Sequence, residues 1–169
     1  MLIDIFFTAP VTAPAQTPQI PEFRNEPMLI TKDDSLKKLE QVHYESLDQV
    51  GPPDGGVSAI DYVTFDTPKS PVRADVDNQF IVKLTDSEVE PESVFFLTRV
   101  EHSRHQRFVY TNISSLYETE KLRIKLEFKK IAPGIYVIKP AELKAKSEYA
   151  FVYTYYSGNK ARCFLFGTN

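Results

Sequence analysis

Leu122-Arg123-Ile124-Lys125-Leu126-Glu127-Phe128 alternates apolar and charged residues without a break. In a strand successive side chains point to opposite faces, so Leu122, Ile124, Leu126 and Phe128 share one side and Arg123, Lys125 and Glu127 the other. That period of two describes a strand with one buried and one wet face. On either side of it, short apolar stretches recur between turn residues. Downstream, Pro133-Gly134 is followed by a strand at 135–139. Stretches 148–156 and 161–166 then make a hairpin across Ser157-Gly158-Asn159. Upstream lie 107–113, then 93–100 with apolar residues on both faces, then 78–85 with Phe80, Val82 and Leu84 on one face, then 57–65. Seven to nine short strands with no long helical pattern between them predict an all-β fold, an immunoglobulin-like antiparallel β-sandwich. Leu143 stands six residues before Tyr149, which opens a strand. This is the spacing of a tyrosine corner, in which the hydroxyl bonds back to nearby backbone and the leucine packs beneath, so both residues are assigned structural roles.

Ahead of the strands the pattern changes. Residues 8–27 hold Pro10, Pro14, Pro18, Pro21 and Pro27, and proline fixes φ and lacks a backbone donor. Residues 1–27 therefore read as a signal remnant or an extended Pro-rich arm, with an apolar start (MLIDIFFTA) and a small-residue Ala13-Pro14-Ala15 exit. No positive region precedes the apolar start, and Asp4 interrupts it. Residues 28–56 read as an extended or linker segment closed by Gly51-Pro52-Pro53-Asp54-Gly55-Gly56, and 57–169 as the sandwich domain. Within 31–49 the signals conflict. Thr31 and Asp34 resemble a capping box, and Leu36, Leu39, Val42 and His43 fall at helical spacing, yet LEQVHYESL also permits a strand.

The 169 residues suit one domain plus a tail. Nine Tyr, twelve Phe and no Trp favour pleated, half-buried surfaces. A net charge of −3 gives no global positive field for nucleic acid. The single Cys163, flanked by Phe164 and Leu165, excludes a disulfide within the chain and reads as a small buried hydrophobe. No run of about 18 apolar residues forms a transmembrane helix.

From Leu39 onward several stretches carry a family likeness. They are Lys69-Ser70-Pro71-Val72-Arg73 before the strand at Phe80, Val89-Glu90-Pro91 before Phe96-Leu97-Thr98-Arg99-Val100, and Arg107 before an apolar strand. Gly134-Ile135-Tyr136 follows, then Glu148-Tyr149-Ala150-Phe151 and the closing Cys163-Phe164-Leu165-Phe166-Gly167. By these the chain resembles a little-characterised group of exported bacterial proteins with a β-sandwich domain. The resemblance implies an envelope location, periplasmic or extracellular, and no known catalysis. It also implies extended backbone over 36–48. The chain departs from the group at Ser147, where glycine is usual, and in the tyrosine content around Tyr155.

Candidate contact residues fall in two places. Arg99, His102, Arg104, His105 and Arg107 lie within nine residues and can grip an anionic group, although charged turns of this kind commonly guard a sheet edge. His102 and His105 with Glu101 fall short of a convergent metal site, and the carboxylates Asp61, Asp66, Asp75 and Asp77 are common turn residues, so no metal is assigned. Tyr155 and Tyr156, near the hairpin tip, suit an interface or a glycan, whereas Tyr153 suits the core. Asn112-Ile113-Ser114 meets the glycosylation sequon, a short pattern that arises by chance. No nucleophile elbow, phosphate-binding glycine loop or His-Glu-x-x-His occurs, so no catalytic residue and no cofactor is assigned. The expectation is a non-enzymatic, exported protein-interaction or assembly subunit that contacts other envelope or surface proteins. A module for glycan or an anionic group is the alternative, and an uncharacterised enzyme the third reading.

Overall fold

Two strands of this chain have no wet face: every residue of Glu148–Tyr153 is buried, as is every residue but the first of Arg162–Thr168. A strand buried on both sides must lie between two layers. The computed structural model describes residues 19–43, 48–50, 60–102, 106–111, 119–154 and 162–169. Fifteen strands occur among them: β1 (Met28–Ile30), β2 (Leu36–Lys38), β3 (Glu40–His43), β4 (Asp48–Val50), β5 (Ile60–Phe65), β6 (Arg73–Ala74), β7 (Phe80–Lys83), β8 (Phe95–Arg99), β9 (Glu101–His102), β10 (Arg107–Tyr110), β11 (Arg123–Ile124), β12 (Leu126–Ala132), β13 (Ile135–Pro140), β14 (Glu148–Tyr153) and β15 (Arg162–Thr168). One helical turn, α1 (Pro91–Val94), precedes β8, and a 3-10 turn at Thr119–Leu122 precedes β11. The fold is all-β, and every strand pairing is antiparallel except the short β6–β15 contact.

The strands form three sheets where the sequence predicts a two-sheet sandwich of seven to nine strands. The central sheet runs β11-β8-β14-β15-β3 with β6 attached, a second runs β12-β13-β7-β1-β2, and a third runs β4-β5-β10-β9. Leu97, Phe151, Phe164 and Phe166 of the central sheet pack on Phe80, Val82, Tyr136 and Ile138 of the second. Phe80 anchors that core, with its ring centroid 5.0 Å from Phe151 and 4.7 Å from Phe166. The opposite face of the central sheet, through Phe96, Val152, Cys163 and Leu165, packs on Val63, Phe65 and Val109 of the third sheet. The two cores explain why Tyr149-Ala-Phe-Val-Tyr153 and Cys163-Phe-Leu-Phe166 are continuously apolar.

The segment read as extended or linker contributes β1 and β2 to the second sheet and β3 to the central one. The capping-box resemblance at Thr31 and Asp34 has another cause, the β1–β2 hairpin turn. Thr31 N–H donates to the Ser35 carbonyl at 3.0 Å, Asp34 N–H donates to the Thr31 carbonyl at 3.0 Å, and Asp34 takes φ +60°. Pro21 and Pro27, at the end of the Pro-rich stretch, are buried against the body. Asn25 there exchanges hydrogen bonds with Thr85, and Glu26 pairs with Arg162 at 2.7 Å. Residues 1–18, the Gly51–Gly56 block, Asn112-Ile113-Ser114 and the 157–159 hairpin tip lie outside the described residues.

The alternation over 122–128 is real, but the strand is cut. Leu122 ends the 3-10 turn, β11 pairs with β8 in the central sheet, and β12 pairs with β13 in the second. Lys125 is the joint at which the chain passes between layers, as strands do at sandwich corners. The apolar set keeps facing the core across the joint: Ile124, Leu126 and Phe128 all pack on the cluster between these two sheets.

Candidate functional site

The sequence reading puts Arg107 in a solvent-facing basic loop; the structure puts it inside. Its side chain is 0% exposed, on β10 at one end of the space between the central and third sheets. Its Nε donates to the Thr67 carbonyl at 2.7 Å, and its Nη2 reaches both oxygens of Glu40 at 3.0 and 3.2 Å and Thr67 Oγ1 at 2.5 Å. Its Nη1 donates to Glu148 Oε2 at 3.3 Å. That same oxygen accepts the Ser70 backbone N–H at 2.9 Å, and Glu148 Oε1 accepts from Arg73. Arg73 also donates to the Thr168 carbonyl. Two arginines thus face two carboxylates, and a buried charge is tolerable only when paired and hydrogen-bonded in this way. Lys69–Arg73, Arg107, Glu148 and Gly167 are separate in sequence and meet here. A Cβ at Gly167 would overlap the Arg73 guanidinium and the Glu148 carboxylate, so a larger residue there requires these side-chain ends to move. The balanced charge and the mutual hydrogen bonds give this network a structural role.

The remaining basic candidates do not gather around one point. Arg99 is half-buried at the end of β8, and alternation puts it on the face of Leu97, the opposite side of the sheet from Val100 and the Arg107 network. Its Nε is enclosed without a hydrogen-bond partner among the described residues. His102 is exposed on β9. Arg104 and His105 lie outside the described residues, as do Tyr155 and Tyr156. Among the described residues no group of three His, Cys, Asp or Glu side chains converges. Asp66 accepts from Gln106, and Asp75 pairs with Lys32 at 2.9 Å. The bonds from Lys32 and Asn169 hold the Asp75 carboxyl below its ordinary range. Tyr153 is buried with its ring 4.8 Å from Phe95. The Tyr149 hydroxyl accepts the Lys144 backbone N–H at 2.7 Å, with Leu143 buried in the same cluster.

Two surfaces that the sequence reading passed over carry more chemistry. The first is on the third sheet. Along β10, Arg107 and Val109 face inward, and Phe108 and Tyr110 face outward, half-buried. Tyr62 of β5 joins them: its ring centroid is 6.3 Å from Phe108, and Tyr110 lies 5.6 Å from Phe108, both edge to face. Desolvation, helped by Glu101 and Tyr62, pushes the Tyr110 phenol above its ordinary value. The alternation in Arg107-Phe108-Val109-Tyr110 is the signal that marks this row.

The second surface is a groove of about 380 Å³ at the joint between β11 and β12. Phe95, Phe96, Ile124, Leu126 and Phe128 line it, and Glu92, Arg123 and Lys125 form its rim. The Arg123 guanidinium sits 5.3 Å from the centroid of the Phe96 ring. Both sheets end here. β11 covers β8 only opposite Leu97 and Thr98, leaving Phe95 and Phe96 beyond it, and β12 is the outermost strand of the second sheet. The hydrogen-bonding phase of β12 follows from its partner. Ala141 N–H donates to the Lys125 carbonyl at 2.9 Å, so Lys125, Glu127 and Lys129 direct their main-chain groups to the β13 side. Leu126 is opposite Pro140, which has no N–H, and Leu126 and Phe128 direct their N–H and C=O groups to the side where no strand pairs with β12 among the described residues, close to α1. An outer strand with unpaired main-chain groups is a template for another strand.

Comparison of the chain with family models, with curated proteins and with solved structures finds no match. The functional reading therefore rests on the geometry of the molecule. No helix among the described residues is long and apolar enough to cross a membrane.

Proposed function

We propose that this chain is a non-enzymatic protein-interaction or assembly subunit of the bacterial cell envelope, and that it takes an extended segment of a partner onto the open edge of β12. The observation that carries the reading is the seven-residue edge strand β12, with outward main-chain groups at Leu126 and Phe128 beside a groove whose apolar lining includes half-buried Ile124, Leu126 and Phe128. Strand addition draws affinity from main-chain hydrogen bonds, and pockets for alternate side chains supply selectivity. It asks for no catalytic constellation. We read the central and second sheets as an immunoglobulin-like sandwich to which the third sheet is an added layer. The Tyr149–Lys144 bond supports that reading, since it closes the corner that such sandwiches use. The export expectation rests on the family resemblance and on the apolar, small-residue start of the chain.

The test is site-directed crosslinking. A photoreactive residue at Phe128 on the full chain, expressed in cells, is expected to capture a partner protein, whereas one at exposed Lys37 of β2, at the far edge of the same sheet, is not. Equal capture at both positions, or none at Phe128, overturns the proposal. A second reading, a glycan-binding module, is favoured by one observation, the outward row of Tyr62, Phe108 and Tyr110. Aromatic rings of this kind stack on sugar faces, and loss of glycan binding on Phe108→Ala with β12 intact identifies that reading.

A further inference from the structure

The edge of β12 differs in charge from the rest of the molecule. The chain as a whole carries a net charge of −3. Yet Arg123, Lys125, Lys129 and Lys130 are exposed along the β11–β12 run, with Glu127 as its one acid. The bases are also phased. Lys125, Glu127 and Lys129 alternate with Leu126 and Phe128, so the three charged side chains stand on the outer face of the second sheet and the two apolar ones over the groove. Glu127 already has a cation beside it, because its register partner on β13 is Lys139. The two lysines have none there: Lys129 is opposite Val137, and Lys125 is level with Ala141.

We infer that the open edge of β12 selects an extended partner segment of the pattern acid–apolar–polar–apolar–acid. This rests on the strand-addition reading above and deepens it. A strand laid beside Lys125–Lys129 puts its first and fifth side chains directly opposite the two lysines and its second and fourth over Leu126 and Phe128. The pattern is symmetric, so it fits in either chain direction. Opposite charges across a strand pair are favourable and like charges unfavourable. The same rule explains why the edge stays open. A second copy's β12, paired antiparallel over the whole of Lys125-Leu-Glu-Phe-Lys129, brings Lys125 against Lys129 twice and Glu127 against Glu127. Lysines on an edge strand are a common defence against self-pairing, and the bulge between Lys130 and Ala132 limits the free edge to the stretch before it. What is defended against is a basic or identical edge; an acidic one is admitted.

The experiment measures fluorescence anisotropy of three labelled seven-residue peptides with the full-length protein at low salt: Ser-Glu-Val-Thr-Val-Glu-Ser, its neutral form with glutamine for glutamate, and its basic form with lysine for glutamate. The acidic peptide is expected to bind about two- to thirtyfold more tightly than the neutral one, from two cross-strand charge pairs, and the basic peptide more weakly still. The double variant Lys125→Glu/Lys129→Glu is expected to reverse that order. Both positions are exposed, and an unchanged melting curve shows the variant folded. Equal binding of all three peptides overturns the charge selection and leaves the strand-addition reading standing. Binding by none of them overturns both, as does equal affinity for Leu126→Pro, which removes an outward N–H that β13 does not use. Concentration-dependent dimerisation abolished by that same proline variant overturns the inference in favour of a second copy.

Discussion

Glu148→Gln tests whether the buried network supports the fold. The substitution keeps the shape of the side chain and removes one charge. In the native chain the carboxylate accepts from three donors: the Ser70 N–H at 2.9 Å, Arg107 Nη1 at 3.3 Å and Arg73 Nη1. An amide has one oxygen to accept with, and its –NH₂ must turn towards at least one of those donors. That costs a hydrogen bond to a charged group, about 1.5–3 kcal/mol. Arg107, 0% exposed, then keeps one carboxylate, Glu40, while Arg73, 32% exposed, loses its own. Removing one partner of a buried ion pair costs about 3–5 kcal/mol. The two figures overlap in what they count, so the expected loss is about 3–4 kcal/mol, a large share of a domain's stability of about 5–15 kcal/mol. Urea unfolding followed by far-ultraviolet circular dichroism reads it as a lower midpoint at unchanged slope. The partner variant Arg73→Met, alone and combined with Glu148→Gln, is expected to show that the two losses do not add, with a coupling of about 0.5–3 kcal/mol. A loss below about 1 kcal/mol for Glu148→Gln, with additive behaviour, would refute the reasoning, because it means that water satisfies these groups.

Three further outcomes follow from the same geometry. Gly167→Ala is expected to destabilise by less than Glu148→Gln, because the methyl group displaces the partly exposed Arg73 guanidinium while both charges remain; thermal unfolding of the two variants compares them. Tyr149→Phe leaves the ring in the core and removes the acceptor of the Lys144 N–H, for a loss of about 1 kcal/mol in urea unfolding and no change in partner capture at β12. Burial pushes the Cys163 thiol up to about 12 from an ordinary 9.0, so it is expected to resist thiol reagents at neutral pH until the chain unfolds. Because the folded value is the higher, the stabilising contribution is complete below the unfolded value and is lost as the pH rises from about 9 towards 12. Cys163→Ala is expected to flatten the alkaline limb of the stability curve, and an identical limb in both proteins contradicts the assignment.

The all-β character was decided by the sequence itself, because alternation is a local property. Leu126, Glu127 and Phe128 announce one wet and one buried face whatever lies across from them. The stretch 93–100, apolar on both faces, likewise announces a strand covered on both sides, which is β8. Local pattern does not contain the identity of the covering layers. That the central sheet is sandwiched between two others depends on which strands pair, and pairing is settled by long-range packing. The same limit explains Arg107. From neighbours such as His102 and Arg104 it reads as part of a charged loop. Its burial depends on Glu40, 67 positions away, and Glu148, 41 positions away. No spacing rule joins them, since their proximity exists only once β3, β10 and β14 are packed. The joint at Lys125 has the same origin. The sequence runs on without a break, and only the corner between two sheets turns one predicted strand into two and leaves β12 with an open side.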